Sequence, residues 1–305
     1  MKRVGSLARA ALGAQLAGPG IRLQTGPFVV SLRSPIAPLA DAVHRLYADY
    51  PLHDADRFAD FHIHMARGRG LRRWLRPQVH FDHDGSAPFQ PLPIHHAFPM
   101  FEWVLNWCVT SRAHGWLIIH AAVVERDGLA VILPAPPGSG KSTLCAALVA
   151  RGWRLLSDEM TLVRLSDGLV DASPRPVSLK NASIEVMRAF APEAVFSEVV
   201  GDTAKGAVAH MKAPTASIER AGEPARPAWV IFPQWVSAAP ARLEPMPRAR
   251  AFMELAQNAF NYNHLGPAGF DALARLVDGC ASYRFRYGAL DDALAVFAAL
   301  PRPAP

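Results

Sequence analysis

Cysteine is scarce in this sequence. The three cysteines, Cys108, Cys145 and Cys280, stand far apart and form no Cys-x-x-Cys pair. A disulfide-stabilised scaffold and a cysteine-based zinc site both need more cysteines at closer spacing. We therefore interpret the three as small core residues.

Long apolar runs are also missing. The longest, residues 116–124 and 129–135, are far shorter than the roughly 18 residues that a membrane-spanning helix needs. Polar residues soon interrupt the segment after Lys2 and Arg3, so the N-terminus has no apolar core of a secretion signal. These absences predict a soluble, cytoplasmic protein without a membrane partner.

Lysine is the third scarce residue. Only 5 of the 32 basic side chains are lysines, and four of these five fall between residues 141 and 212. Lysine carries a compact ammonium where arginine carries a planar fork, so lysines in an arginine-rich chain indicate a site that needs a point charge. The alternative is chance clustering.

Two regions differ in their patterns. A chain of 305 residues, 50% of them hydrophobic, can form one large or two modest domains. Residues 1–115 mix short helical and alternating patterns, which predicts a mixed α+β N-terminal subdomain that could select a substrate. From residue 116 onward strands and helices alternate, and we predict an α/β catalytic domain over 116–305. Within it we expect a strand over residues 117–124, a hairpin turn of the Asp-Gly type over 125–128 and an irregular, mobile active-site segment over 191–222.

A phosphate-binding pattern follows the apolar segment 129–134. Ala135, Gly140, Lys141 and Ser142 fill the fixed positions of [Ala/Gly]-x-x-x-x-Gly-Lys-[Ser/Thr], and a helical pattern follows. Backbone N–H groups of such a loop, and of the helix after it, bind phosphate oxygens. An accidental glycine-rich turn would lack this strand and helix. The predicted nucleotide-binding residues are Ala135, Pro136, Pro137, Gly138, Ser139, Gly140, Lys141, Ser142 and Thr143.

An acidic pair, Asp158 and Glu159, follows a short apolar segment 17 positions after Lys141. In a strand–helix–strand unit the loop and the end of the second strand open on the same sheet edge, so the carboxylates are expected beside the phosphates. Phosphoryl transfer needs a lysine and a metal to neutralise charge, and a base for the acceptor hydroxyl. The structural alternative is that Asp158 and Glu159 serve only as a helix cap and a surface acid.

These requirements assign roles to the residues. We predict that Lys141 holds the terminal phosphates of ATP and that Asp158 takes the acceptor proton. Ser142 and Glu159 are the predicted Mg²⁺ ligands. Two further lysines and a histidine in the same half of the chain are expected to contact phosphate or the acceptor: Lys180, Lys205 and His210.

Three histidine pairs invite a metal interpretation. None has a third ligand at the spacing of a metal site, so packed or surface histidines are the preferred interpretation. The pairs are His62 with His64, His80 with His83, and His95 with His96.

A basic run between Arg67 and Arg76 contains one tryptophan and could bind nucleic acid. No nucleic-acid fold signature accompanies it. A solvated turn is therefore preferred, and nucleic acid is not an expected partner.

Six segments carry a resemblance to a known family. They read HAAVVERDG, PAPPGSGKSTL, RGWRLLSDEM, RPVSLKNASI, DTAKGAVAH and NAFNYNHLG. Together they resemble the HPr kinase-related proteins called HprK-related kinase A, over essentially the whole chain. Residues 116–220 more broadly resemble HPr kinase/phosphorylase, whose P-loop fold is shared with phosphoenolpyruvate carboxykinase.

The resemblance implies ATP-dependent phosphorylation of a serine or threonine. It puts Asp158 in the position of the family's catalytic base and His120, expected on a strand, in that of its active-site histidine. A core histidine is the alternative for His120. HPr kinase has Asp-Asp where this chain has Asp158 and Glu159, and no segment matches the one used for phosphorolysis. The kinase A relatives neighbour a PqqD-like peptide carrier, which implies a peptide or protein acceptor.

Two other enzyme or binding classes stay open at this point. Small-molecule kinases also place an acid after the loop helix. A nucleotide-sensing P-loop ATPase switch is disfavoured because the guanine motif, the Leu-Ser-Gly-Gly-Gln signature and a distant Walker B strand are absent from the sequence. The sequence leaves open whether the chain forms a homo-oligomer.

Overall fold

The computed structural model describes residues 2–68, 70, 75–83, 88–136 and 138–301. Pro137 of the predicted loop and most of the basic run between Arg67 and Arg76 lie outside the described residues. Within the described ranges the protein is of mixed α/β type, with several sheets and helices. In that part of the chain no helix has both the length and the apolar character to cross a membrane.

The strands alternate with helices along much of the chain. In chain order the strands are β1 (Lys2–Arg3), β2 (Ile21–Thr25), β3 (Phe28–Arg33), β4 (Pro51–His53), β5 (Phe61–Arg67), β6 (Gln78–Asp82), β7 (Leu92–Pro93), β8 (Trp116–Ile119), β9 (Ala121–Arg126), β10 (Leu129–Pro134), β11 (Arg154–Ser157), β12 (Thr161–Arg164), β13 (Val170–Asp171), β14 (Val177–Lys180), β15 (Val200–Thr203), β16 (Gly206–Met211), β17 (Arg226–Trp235), β18 (Arg242–Pro245) and β19 (Ala281–Tyr287).

The helices are mostly short. In chain order they are α1 (Arg9–Ala17), α2 (Ala37–Leu46), α3 (Ala97–Arg112), α4 (Lys141–Ala150), α5 (Ala182–Phe190), α6 (Thr215–Glu219), α7 (Arg248–Asn258), α8 (Tyr262–Leu265), α9 (Pro267–Gly279) and α10 (Leu290–Ala298). Single 3-10 turns span Val4–Ser6 and Ile94–His96.

The backbone divides into two compact units. One comprises Met1–Val109 together with Val195–Lys212, and the other comprises Thr110–Ala194 with Ala213–Pro305. The sequence-based division lay at 115/116 and put residues 195–212 in the catalytic domain. In the structure this segment clusters with the first unit instead, because its strands form a hairpin whose side chains contact that unit.

The first unit is built on a seven-stranded sheet of order β1-β4-β2-β3-β5-β6-β7, in which only β3 and β5 run parallel. Along β5, Phe61, Ile63 and Met65 are buried while His62 and His64 are exposed. This period-two alternation is that of a sheet with one face on a core. It confirms the interpretation of His62 and His64 as surface residues.

The hairpin β15–β16 replaces what the sequence indicated as an irregular active-site segment. Its strands are antiparallel, and Thr203 lies opposite Gly206. The Thr203 hydroxyl donates to the Gly206 carbonyl at 2.6 Å and closes the turn. Weak hydrophobic periodicity hid this hairpin, because its exposed first strand has few apolar residues.

The second unit is built on a six-stranded sheet of order β11-β9-β10-β17-β19-β18. Strands β10, β17 and β19 are mutually parallel neighbours, and β9 runs antiparallel to both β10 and β11. Strand β10 is buried almost throughout, as expected for a central strand covered on both faces. Helix α4 packs on β9 and β11, and α9 packs on β17 and β19.

The predicted hairpin before the phosphate-binding loop is confirmed. Strands β9 and β10 pair with Leu129 opposite Arg126. Asp127 and Gly128 both have positive φ, of 55° and 79°. Two such residues form the tight turn that matches strand twist, and Asp-Gly is a favoured sequence for it.

The predicted strand across residues 117–124 is wrong in one respect. The chain leaves β8 at Ile119 and begins β9 at Ala121, so His120 lies at a bend rather than within a strand. Strand β8 belongs to a separate three-stranded sheet of order β13-β12-β8, while β9 belongs to the six-stranded sheet. Continuous apolar sequence on both sides of His120 concealed this change of sheet.

Candidate active site

Four strands of the second unit end at one edge of the six-stranded sheet. Strands β10, β17 and β19 are parallel, and β11 runs the same way because both β10 and β11 are antiparallel to β9. Ligands of α/β sheets bind outside the carboxyl ends of such strands. The phosphate-binding loop follows β10, and the acidic pair follows β11.

The glycines of the loop adopt conformations that other residues disfavour. Gly138 has φ of 85° and Gly140 has φ of 84°, both in the left-handed region. Gly140 caps α4, and its carbonyl accepts the first helical hydrogen bond, from the Leu144 N–H at 2.9 Å. Ser142 and Thr143 in the first turn are half-buried, while Ala135 is buried against the strand end.

Two aromatic residues from the neighbouring strand ends hold the loop in place. The Tyr287 hydroxyl donates to the Gly140 carbonyl at 3.1 Å. The Trp235 backbone N–H donates to the Ser139 carbonyl at 2.9 Å. A methyl group added at Gly140 would lie 2.6 Å from the Tyr287 oxygen and 2.8 Å from the Trp235 Cβ. At Gly138 the same addition would meet no atom of the described chain within 4 Å.

Lys141 is the first residue of α4 and is only 8% exposed. Its ammonium has no hydrogen-bond partner among the described residues. Burial lowers the pKa of Lys141, and the nearby charges of Asp158 and Glu159 oppose that effect. A buried cation at a helix N-terminus is a favourable position for an anionic ligand.

Asp158 lies at the end of β11 and is 5% exposed. The Ser178 backbone N–H donates to its Oδ2 atom at 3.0 Å, whereas Oδ1 has no hydrogen-bond partner in the described part of the chain. Burial, with repulsion from Glu159, raises the pKa of Asp158 to about 6. The charges of Lys141 and Lys180 and the Ser178 hydrogen bond act in the opposite direction.

Strand β14 supplies two groups to this cluster. Besides the Ser178 N–H, it ends in Lys180, whose ammonium lies 3.9 Å from a carboxylate oxygen of Glu159. Ser183 fixes the end of the strand, because its hydroxyl bonds both the N–H and the carbonyl of Lys180. Lys141, Asp158, Glu159 and Lys180 therefore form a cluster of two cations and two acids.

The oxygen donors near this cluster are of the kind that Mg²⁺ prefers. Glu159 offers a partly exposed carboxylate, and Ser142 offers a hydroxyl in the first turn of α4. Hydroxyl and carboxylate oxygens, with phosphate oxygens and water, form the usual Mg²⁺ shell. The residues present thus fit a metal bound together with a phosphate ligand.

His120 lies at the same sheet edge by register. Ala121 pairs with Pro134 at the end of β10, and Val123 pairs with Ser157 at the end of β11. The His120 ring packs against Phe260 at a centroid distance of 5.5 Å. Its backbone N–H donates to the Asn258 carbonyl at 2.7 Å.

The segment after α7 fixes the bend that carries His120. Buried Asn261 accepts a hydrogen bond from the Ile118 N–H at 2.9 Å and donates to the Trp116 carbonyl at 2.8 Å. The Phe260 N–H donates to the Ile118 carbonyl at 2.9 Å. These bonds tie residues 260–261 to β8 over more than 140 positions of sequence, so periodicity alone could not reveal them.

The other two lysines between residues 141 and 212 make their contacts within the first unit. Lys205 and Lys212 belong to the first unit, as does His210. The Lys205 ammonium lies 5.4 Å from the centroid of the Trp103 ring, and Lys212 forms a 2.8 Å ion pair with Asp49. The His210 ring is almost fully buried and packs edge-on against Phe98. Among the described residues of the second unit, the predicted substrate residue Lys180 lies beside the acidic pair.

In the structure, one histidine pair lies beside a third potential metal ligand that spacing along the sequence did not predict. Asp202, on β15, accepts hydrogen bonds from the Nε2 atoms of His95 and His96 at 2.9 and 2.8 Å. The interpretation of this pair as merely packed or surface histidines is therefore incomplete. A separation of more than 100 positions hid Asp202 from any search for local metal-ligand spacing.

The site residues that sequence reasoning missed are Ser178, Trp235, Tyr287 and Asn261. Each acts through a hydrogen bond to a distant segment. Trp235 and Tyr287 end strands that read as ordinary buried β segments. Their one available signal was position: Tyr287 ends the strand that the sequence suggests over 283–287, and Trp235 follows the apolar segment 229–232 by three residues.

Comparison with known families gives a partial match. A family model described as SynChlorMet cassette protein ScmC matches residues 95–195. This range is 101 of the 305 residues and contains both the phosphate-binding loop and the acidic pair. A comparison with curated proteins finds no match for this chain.

Proposed function

We propose that this chain is an ATP-dependent phosphotransferase with an HPr kinase-like P-loop domain. Its expected reaction transfers the γ-phosphoryl group of ATP to a serine or threonine hydroxyl of a peptide or protein, with Mg²⁺. One observation carries the proposal: the buried Lys141 ammonium at the start of α4 interacts with a buried Asp158 carboxylate that keeps one oxygen without a partner in the described chain.

Burial of two such groups needs an explanation. Unpaired polar atoms inside a protein are costly, and they are commonly retained where a ligand completes them. The loop amides and Lys141 suit a phosphate, and the Oδ1 atom of Asp158 suits a hydroxyl donor. A surface acid with a helix cap, the structural alternative, does not account for a carboxylate this deeply buried.

The roles of the chain's own groups follow from this arrangement. The loop from Gly138 to Ser142 orients the phosphates, and Lys141 neutralises charge on them. When bound by Ser142 and Glu159, Mg²⁺ would supply further neutralisation of the phosphate oxygens. Ser178 fixes the Asp158 carboxylate, so that Oδ1 is positioned to receive a proton.

The transfer needs no acid or base other than Asp158. The acceptor hydroxyl gives its proton to Asp158 as its oxygen forms a bond to the γ-phosphorus. The bond from that phosphorus to the bridging oxygen of ADP breaks. A base with a pKa near the working pH is well suited to such a transfer, and about 6 satisfies that condition at neutral pH.

The peptide or protein acceptor is the finer part of the proposal. It draws on the resemblance to HprK-related kinase A proteins, which neighbour a PqqD-like peptide carrier. The description of ScmC as a cassette protein is compatible with a chain that acts on the product of a neighbouring gene. We further propose that the reaction takes place in the cytoplasm, where ATP and Mg²⁺ are available.

The test is transfer of radiolabel from [γ-³²P]ATP. The full chain is incubated with Mg²⁺ and either a PqqD-like carrier with its peptide, a serine- and threonine-containing peptide library, or a panel of metabolite alcohols. Asp158→Asn should lose transfer and keep nucleotide binding. The control Glu185→Gln changes an exposed acid of α5 in the same unit and should keep both.

Each outcome separates one hypothesis from another. Label on a metabolite alcohol alone would make the chain a small-molecule kinase. Hydrolysis of ATP that a partner stimulates, without any labelled acceptor, would make it a nucleotide-sensing switch. Normal transfer by Asp158→Asn would overturn the assignment of the base.

A further inference from the structure

Three metal-binding side chains converge in the first unit, within residues that the proposed reaction does not use. His95 and His96 come from the 3-10 turn before α3, and Asp202 comes from strand β15. Their ligand atoms all lie within 4.8 Å of one another. Both Nε2 atoms point to the same oxygen, Oδ1 of Asp202.

The donor set is chemically selective. Two imidazole nitrogens and one carboxylate oxygen form a set that zinc and neighbouring transition metals accept, whereas Mg²⁺ and Ca²⁺ prefer oxygen ligands alone. Zinc with three protein ligands keeps a further position for water. Such a position is accessible, since the Asp202 side chain is 62% exposed.

The burial of His96 and the charge of Asp202 also favour a metal site. The His96 side chain is 3% exposed and gives the site one rigid ligand, while the His95 and Asp202 side chains remain open to solvent. The Asp202 carboxylate supplies negative charge that offsets part of the charge of a divalent ion.

We propose that His95, His96 and Asp202 bind one divalent transition-metal ion of the zinc class. A small adjustment of the two exposed side chains brings all three ligand atoms to about 2 Å from a common ion. The ion fastens the β15–β16 hairpin to the turn that precedes α3. The site thus stabilises the first unit independently of the phosphotransferase reaction.

Other contacts hold the same hairpin without a metal. The Lys205 ammonium lies over Trp103, and Lys212 pairs with Asp49. Variants at the ligands should therefore fold, which makes the site testable by substitution. Circular dichroism of each variant in the absence of metal checks this condition.

The experiment titrates Zn²⁺ into the full, metal-stripped chain at pH 7.5, in competition with a chromophoric chelator. We expect one equivalent to bind, and we expect Asp202→Asn and His95→Ala each to weaken that binding by at least about tenfold. The matched control, His62→Ala with His64→Ala, removes two exposed histidines of β5 in the same unit and should bind as the unchanged chain does.

A second readout uses Co²⁺ and heat. Co²⁺ in a site with histidine and carboxylate ligands gives visible absorption, which should vanish in Asp202→Asn. Added Zn²⁺ should raise the Tm of the unchanged chain and of the control, and not that of the ligand variants. The proposal is overturned if the ligand variants bind Zn²⁺ as the control does, or if the unchanged chain binds none. In the second case the three side chains form only a hydrogen-bonded cluster.

Discussion

The hydroxyl of Tyr287 donates a 3.1 Å hydrogen bond to the carbonyl of Gly140, although 147 positions separate the two residues. This bond joins the end of β19 to the residue that caps α4. The loop conformation is therefore fixed from outside the loop, and the nearby strand end controls how the backbone N–H groups are presented to a phosphate.

Tyr287→Phe removes this hydrogen bond and leaves the ring in place. We expect a loss of about 1 kcal/mol in the free energy of unfolding, and a several-fold weaker affinity for ATP because the loop is less well ordered. Urea unfolding and nucleotide titration measure the two effects. Tyr283→Phe, on the same strand, is the control and should change neither. Equal nucleotide affinity in both variants would remove the supporting role of Tyr287.

The two loop glycines differ in the space around them, and substitution by alanine should reveal that difference. Both have positive φ, so each alanine costs about 1–2 kcal/mol. At Gly140 the new methyl group also collides with Tyr287 and Trp235, whereas at Gly138 it enters open space. Gly140→Ala should therefore be the more destabilised in thermal unfolding and should lose ATP binding. A larger effect at Gly138 would contradict this account.

The pKa of Asp158 predicts the pH dependence of phosphotransfer. The base acts when ionised, so the rate should rise as pH increases through about 6 and level off above 7. Initial rates between pH 5 and 8, at saturating ATP and Mg²⁺, test this expectation. Any residual rate of the Asp158→Asn variant should not rise with pH in this range. A rise that persists in this variant would belong to another group.

The same pKa makes a prediction for folding stability. Asp158 keeps its proton up to about pH 6 when folded but loses it near 3.8 when unfolded, so stability falls as pH rises between these values. At about 1.4 kcal/mol for each pKa unit, the loss amounts to about 3 kcal/mol. Burial also lowers the pKa of Lys141, so the charged lysine is destabilising as well.

A double variant tests this cost directly. Lys141→Met combined with Asp158→Asn removes both buried charges and keeps the side-chain volumes similar. Replacement of a buried ion pair by neutral groups commonly stabilises a protein by about 1–4 kcal/mol. We expect the double variant to unfold at a higher temperature than the unchanged chain at pH 8. A lower Tm would indicate that mutual attraction exceeds the cost of burial.

The buried ion pair of Glu125 and Arg154, away from the proposed site, should behave differently. Glu125 on β9 accepts hydrogen bonds from the Arg154 side chain and from the Gly128 N–H, and both charged side chains are almost fully buried. Glu125→Gln removes the buried counter-ion of Arg154 and leaves the half-exposed Glu223 carboxylate, 3.9 Å away. We expect a loss of about 3–5 kcal/mol in unfolding free energy, measured by urea denaturation. The control is Glu219→Gln on the surface of α6, which should change it little.

Local patterns allowed several elements to be predicted from the sequence. The Asp127-Gly128 turn, the strand leading to Pro134 and the helix beginning at Lys141 all follow rules that act over a few residues. The edge position of Asp158 also followed, because a loop and a helix of that length return the chain to the same side of a sheet. The structure adds that β9 lies between β10, which precedes the loop, and β11, which precedes Asp158.

Other features could not be predicted because they depend on long-range packing. The chain bends at His120 because it passes there from the three-stranded sheet of β8 to the six-stranded sheet of β9. Apolar residues on both sides of His120 conceal this change. The β15–β16 hairpin clusters with residues before 110, so Lys205 and His210 belong to one compact unit, and Asp158 and Glu159 belong to the other. Spacing along the chain carries no information about either arrangement.

The sequence by itself determined the glycine-rich loop between β10 and α4, the acidic residues that follow the next helix and the α/β character of the chain, since these depend on local conformational preference and on the period of hydrophobic residues. Only the tertiary structure decided that Ser178 fixes Asp158, that Tyr287 supports Gly140 and that Asp202 meets His95 and His96. Each of these relationships joins backbone or side-chain atoms from distant segments, and only the folding of the chain brings them within hydrogen-bond distance.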